Sequence, residues 1–107
     1  MTESDVTAQD LQAVAQELQL TRSQLQAVSG QVSEISLTLE ALASQTPSRP
    51  VFRAVGNLLL EVDDRQSLAA ELDESKLAFE SHAGRLTERE SALVSQYEEM
   101  AKAFESQ

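Results

Sequence analysis

The residues of this chain that could do chemistry are few and scattered. His82 is its only histidine, and it has no cysteine. A lone imidazole on a helical stretch, with no Ser or Cys nucleophile patterned around it, reads as a helix-surface or seam-edge residue rather than a base or a ligand. Acidic pairs recur at Glu88/Glu90 and Glu98/Glu99. Carboxylates suit a hard cation, but a two-helix arm encloses no cavity in which to complete its ligand shell. Gly30, Gly56 and Gly84 stand alone, so no glycine-rich loop exists to cradle a phosphate. No catalytic, metal-binding or cofactor-binding residue emerges. No cofactor is expected, and an enzyme is not expected.

Charge narrows the partners. There are 18 acidic residues against 8 basic ones, for a net charge of −10, and only Lys76 and Lys102 are lysines. Such a chain repels a phosphate backbone, so no nucleic acid partner is expected. The acidity keeps helix faces solvated, or reflects a salt-adapted proteome. No run is apolar enough to span a bilayer and none resembles a signal peptide. No membrane partner is expected, and a cytoplasmic location is the default. Without cysteine, disulfides are excluded.

The informative spacing is apolar. Leu11, Leu18, Leu25, Val32 and Leu39 recur every seven residues; Val14, Thr21, Val28, Ile35 and Leu42 follow three residues behind. All but Thr21 are aliphatic, a sustained coiled-coil seam. A second seam runs through Leu72, Phe79, Leu86, Leu93 and Met100. Folding the chain back on itself pairs Leu11 with Met100, Leu18 with Leu93, Leu25 with Leu86, Val32 with Phe79, and Leu39 with Leu72. That is the register of an antiparallel helical hairpin.

The elements follow. Residues 1–7 are short, polar and expected to fray. Thr7 or Asp10 caps a first helix over 8–45, about 55 Å long at 1.5 Å per residue. Gly30 interrupts it on the outer side. Pro47 and Pro50 stop it. Val51–Val55 and Leu58–Val62 read as strands about a tight Gly56-Asn57 turn. Leu58, Leu60 and Val62 share one face, with Leu59 and Glu61 on the other. Asp63 or Asp64 caps a second helix over 65–105, about 60 Å long. Residues 46–64 thus form a linker and β-hairpin inside one domain spanning 1–107. The fold class is mainly α: an antiparallel two-helix coiled-coil hairpin with one β-hairpin between the helices.

The second seam is poorer. Its companion positions are Ala69, Lys76, Ala83, Glu90, Tyr97 and Phe104. The register sets Glu90 opposite Thr21, with Gly84 nearby. Either a polar layer makes the middle of the arm loose and bendable, or Lys76 and Glu90 lie at the seam's edge and reach outward.

An isolated hairpin is marginal in water, and an arm extending away from it cannot cover its apolar face. It is therefore expected to pair with strands of other chains.

The run Pro50-Val51-Phe52-Arg53-Ala54-Val55-Gly56-Asn57-Leu58-Leu59-Leu60-Glu61-Val62 resembles the β-type prefoldin signature. That signature has an aromatic, a basic or polar residue, a small–Val–Gly turn and an apolar strand, set between two coiled-coil arms. The likeness is specific over residues 50–62 and architectural from about residue 8 to residue 107. Among eukaryotic β-type paralogues, the hairpin and Leu58–Glu71 look most like subunit one; an archaeal β subunit is the other affiliation. Scarce lysine and a short, proline-bracketed linker depart from many members.

The resemblance implies a subunit of a hetero-hexameric co-chaperone whose partners are other prefoldin subunits of α and β type, non-native client proteins and a cytosolic group II chaperonin. Such an assembly holds unfolded clients without ATP, actin and tubulin in eukaryotes, and passes them on. Val51, Phe52, Val55, Gly56, Leu58, Leu60 and Val62 then form the assembly hairpin. Val6, Leu11 and Val14 with Tyr97, Met100, Ala101 and Phe104 form a client-binding tip. The competing role for those tip residues is ordinary seam packing. The competing role for the chain is a structural coiled-coil adaptor without chaperone activity. A tRNA-binding arm and a membrane tether fit the charge and the hairpin less well.

Overall fold

The computed structural model describes residues 5–107. Residues 1–4, most of the stretch expected to fray, lie outside the described residues. Helix α1 spans Ala8–Ser44, strand β1 Phe52–Val55, strand β2 Leu58–Glu61 and helix α2 Arg65–Ser106. The mainly α fold class read from the sequence holds. The chain divides into two compact units, one reaching to Val28 and including Ser81–Gln107, the other Ser29–Glu80.

In the first unit a reciprocal cap starts α1. The Thr7 hydroxyl accepts from the Asp10 amide at 3.0 Å, and the Asp10 carboxylate accepts from the Thr7 amide at 3.0 Å. Two orphan donors of the first turn are satisfied at once. Both candidate capping residues take part, Thr7 as the cap and Asp10 as its answer. Among the described residues the buried side chains are Val14, Thr21, Leu86 and Leu93. Each occupies a seam position, and the seam neighbours Leu11, Leu18, Leu25, Val28 and Met100 are half-buried.

The polar layer resolves in favour of the seam's edge. Thr21 is only 3% exposed, yet its hydroxyl donates to the Glu17 carbonyl at 2.8 Å, one turn back on its own helix. Nothing polar is required from α2. Glu90 reaches outward to the Arg22 Nε at 2.9 Å, and Arg89 reaches Glu17 at 3.0 Å. Exposed pairs of this kind contribute only roughly 0.2–1 kcal/mol each. Their use is in alignment, because each joins one helix to the other and penalises a shifted antiparallel register.

The second unit is looser. None of residues 29–80 is buried; Val32, Ile35, Leu39, Leu42, Leu72 and Phe79 are half-buried along the seam. The linker turns through a hydrogen bond from the Arg49 amide to the Thr46 carbonyl, 3.0 Å. The Arg65 guanidinium then donates to the carbonyls of Thr46, at 3.3 Å, and Arg49. One side chain at the first position of α2 thereby satisfies the linker that follows α1.

β1 and β2 pair antiparallel, with Val55 opposite Leu58 and Phe52 opposite Glu61. Val51 and Val62 fall one residue outside the strands, although the Val62 amide still donates to the Val51 carbonyl at 2.8 Å. Gly56 has φ of +60°, and Asn57 has no positive φ. A left-handed first residue followed by a right-handed second is the type II′ turn, which demands glycine at the first place and matches strand twist. Asp64, rather than Asp63, caps α2: its carboxylate accepts from the Ser67 amide at 3.1 Å and the Ser67 hydroxyl at 2.8 Å.

Three outcomes follow for stability. Leu93 is 4% exposed, so Leu93→Ala should cost about 2–5 kcal/mol in urea unfolding. A Cβ at Gly30 or Gly84 would meet nothing within 4 Å, so each Gly→Ala change should raise stability by up to about 1 kcal/mol and lift the thermal midpoint. The hydrogen bonds from the Ser67 amide, then the Ser67 hydroxyl, hold the Asp64 carboxyl below its ordinary pKa. A lowered folded-state pKa gives stability that is complete above the unfolded value and lost as pH falls through the folded one. Thermal melts of the native chain and Asp64→Ala should therefore differ at neutral pH and converge in acid.

Candidate interaction sites

Strand pairing sorts the hairpin side chains onto two faces. Directly opposed residues share a face, and successive residues alternate. Val55, Leu58, Arg53 and Leu60 lie on one side; Ala54, Leu59, Phe52 and Glu61 lie on the other. The expected grouping of Leu58 with Leu60 against Leu59 with Glu61 stands. Phe52, grouped by sequence with Val55, Leu58 and Leu60 as one assembly set, is on the opposite face from them. Val51 and Val62 at the base are half-buried, and Gly56 is at the turn.

Both faces are open. Leu59 is 72% exposed and Leu58 63%; Phe52, Val55 and Leu60 are exposed as well. Five large exposed apolar side chains thus fall within nine residues, three on one face and two on the other, unlike the scattered Leu20, Leu37 and Leu77 on the helices. Leu59 was missed by the site reading. Its signal was present: Leu58-Leu59-Leu60 breaks the in–out alternation of a one-sided strand and marks one apolar on both faces. The hairpin also leaves the helices beside it incompletely covered. An open cleft of about 790 Å³ is lined by Ala41, Leu42, Val51, Phe52, Leu68 and Leu72 among others.

The second candidate surface lies in the unit that carries both ends of the described chain. Tyr97 is 37% and Phe104 41% exposed. Val6, Leu11, Met100 and Ala101 are half-buried, while Val14 belongs to the buried core. Six of the seven tip residues thus offer surface, and Val14 offers none. Simple register sets Tyr97 over Val14. Instead it lines a hollow of about 550 Å³ with Ala15, Leu18, Gln19 and Arg22. The offset has a cause: helical side chains point toward their own N-terminus, which on α2 means further along α1. Gln107 closes the end, its side-chain amide accepting from the Val6 amide at 2.6 Å and donating to the Val6 carbonyl at 2.8 Å.

His82 is exposed. Among the described residues no group of three or more His, Asp and Glu is placed to hold a metal ion. None of the described helices is long and apolar enough to cross a membrane. What the arrangement offers is apolar contact.

Comparison with known proteins gives the family and the fold. Residues 7–107 match the family described as Prefoldin subunit. The prefoldin subunit beta of Thermoplasma volcanium is 30% identical over 73 residues, which cover 68% of this chain and 59% of the relative. That of Thermoplasma acidophilum is 29% identical over 73 residues, with the same coverage. The match therefore spans less than two thirds of these relatives' length. Among solved structures, the prefoldin beta subunit from Thermococcus strain KS-1 superposes with a TM-score of 0.80 at 24% identity, over 95% of this chain and 94% of that one. The beta2 subunit of the same strain gives 0.74 at 21% identity, over 86% and 97%. At these identities the structural likeness speaks for the fold.

Proposed function

The chain belongs to the prefoldin subunit family, and from that premise we propose that it is a β-type subunit of a hetero-hexameric co-chaperone. Its hairpin joins those of α- and β-type partners in a shared platform. Its paired helices hold non-native proteins without ATP and release them to a cytosolic group II chaperonin. The family is non-enzymatic, and the work assigned here is binding alone. The cytoplasm, where both clients and chaperonin reside, is the proposed location.

The hairpin is the observation that carries this reading. A type II′ turn and an ordered two-strand ladder are built to present side chains that stay in water. Exposed apolar area of that kind is costly unless another surface covers it. Family membership supplies the surface, the corresponding strands of sister subunits. Unpaired strand edges add backbone donors and acceptors to the contact.

Client holding is assigned to the terminal unit. Tyr97, Met100, Ala101 and Phe104 follow helical spacing and carry the aromatic and thioether groups that adapt to varied apolar segments. Glu98, Glu99 and Glu105 keep this surface soluble and attract basic stretches of client. The half-burial of Leu11 and Met100 favours the adaptor as a second reading, in which these residues only complete the seam. An adaptor would not slow aggregation of a denatured client.

Two measurements separate these roles. Changing Val55, Leu58 and Leu60 to Ser should drop the chain from a co-expressed hetero-hexamer while helicity is retained. Full incorporation of that variant would contradict the platform assignment. Changing Tyr97, Met100 and Phe104 to Ser should leave the hexamer intact and weaken its suppression of client aggregation. Undiminished suppression would remove the tip as the principal contact and favour the adaptor.

A further inference from the structure

The two edges of the hairpin are not equivalent. The bond from the Val62 amide to the Val51 carbonyl makes theirs a hydrogen-bonded pair, and in an antiparallel ladder bonded and non-bonded pairs alternate. Arg53 with Leu60 and Val55 with Leu58 are then bonded pairs; Phe52 with Glu61 and Ala54 with Leu59 are not. The main-chain groups of the last four residues point outward, Phe52 and Ala54 along the β1 edge and Leu59 and Glu61 along the β2 edge. None of these groups has a hydrogen-bond partner among the described residues. The open cleft of about 790 Å³ touches the consecutive residues Val51, Phe52, Arg53 and Ala54 and no residue of β2. Successive side chains point to opposite faces, so a cleft that meets every one of them follows the β1 edge rather than a face. Ala41 and Leu42 of α1 and Leu68 and Leu72 of α2 give it an apolar wall, and Glu34 is the one carboxylate in its lining. The β2 side differs: Glu61 shares a hollow of about 210 Å³ with Asp63, Asp64 and Glu71, four carboxylates against Arg53.

We infer that one extended strand of a neighbouring subunit enters this cleft and pairs with the β1 edge. This rests on the reading of the hairpin as the assembly element, and adds which edge is used and what walls the incoming strand. The free groups identify the occupant. Phe52 and Ala54 each offer an amide and a carbonyl, two residues and about 6.8 Å apart along the edge. A helix spends its own donors and acceptors internally, whereas a strand presents them at this same interval. The apolar wall selects a strand whose side chains toward α1 and α2 are apolar, and it shields the new ladder bonds from water. Helix α1 is therefore part of the assembly contact, through Ala41 and Leu42, although it lies outside the hairpin.

The test is incorporation of the full chain into the hexamer formed with co-expressed partner subunits, read by light scattering after size exclusion. Ala54→Pro removes an outward amide and spares the ladder, in which that amide takes no part. Leu59→Pro, directly across the ladder, does the same at the other edge. Ala41→Trp fills the cleft from the exposed side of α1 and leaves the hairpin sequence unchanged. Ala54→Pro and Ala41→Trp should each drop out of the hexamer, while Leu59→Pro enters it as the native chain does. Helicity of each isolated variant by circular dichroism should match the native chain. Normal incorporation of Ala41→Trp overturns the inference, because that variant keeps the edge and closes the cleft. Loss of Leu59→Pro with retention of Ala54→Pro overturns it as well, by moving the contact to β2. An Ala41→Trp hexamer that forms normally but protects clients less would make the occupant a client segment, and the inference fails there too. The platform reading is judged separately: if the Val55, Leu58 and Leu60 to Ser variant drops out while Ala41→Trp does not, the platform stands and the cleft contact falls.

Discussion

The seven-residue repeat of apolar side chains is the constraint from which the helical part of this protein follows. Within the first unit it brings α1 and α2 together along one stripe. The buried positions Val14, Thr21, Leu86 and Leu93 all lie on that stripe. The ion pairs Arg22–Glu90 and Glu17–Arg89 flank it. Even Thr21, the polar residue among those buried, respects the repeat, because its hydroxyl turns back to the Glu17 carbonyl of its own helix. Helix capping at Thr7 and Asp64 then sets where each helix begins.

A stripe one or two residues wide consumes little apolar surface, and the rest of the design shows the result. Residues 29–80 have no buried side chain of their own. The hairpin and its linker are held by a ladder, a II′ turn, the Val62–Val51 bond and the Arg65 staple. These devices order the backbone without hiding the side chains. A segment ordered by hydrogen bonds and left apolar on both faces is what the proposed platform contact requires.

Much of this was legible in the sequence. Period seven named the seam, Pro47 and Pro50 marked the linker, and Gly56-Asn57 between apolar runs named the hairpin. What escaped was whatever depends on direction or on long side chains. Arg65 reads as an ordinary first-turn residue, yet its reach decides how the linker is satisfied. Tyr97 borders a hollow with Leu18 and Arg22, an offset that follows from the tilt of helical side chains and that period seven does not encode. Leu59, placed with Glu61 on the second face, stands outside the assembly set that the sequence suggests, although it is as open as Leu58. Glu90 allowed two outcomes that differ only in rotamer, which no periodicity encodes.

The central claim is that residues 51–62 are ordered for assembly. Amide hydrogen exchange on the isolated chain and on the chain within a complex of α-type partners tests it most directly. Protection of the β1 and β2 amides should be weak in the isolated chain and rise sharply in the complex, with the amides around Leu86 and Leu93 protected in both. Equal exchange of the hairpin amides in the two samples would contradict the account.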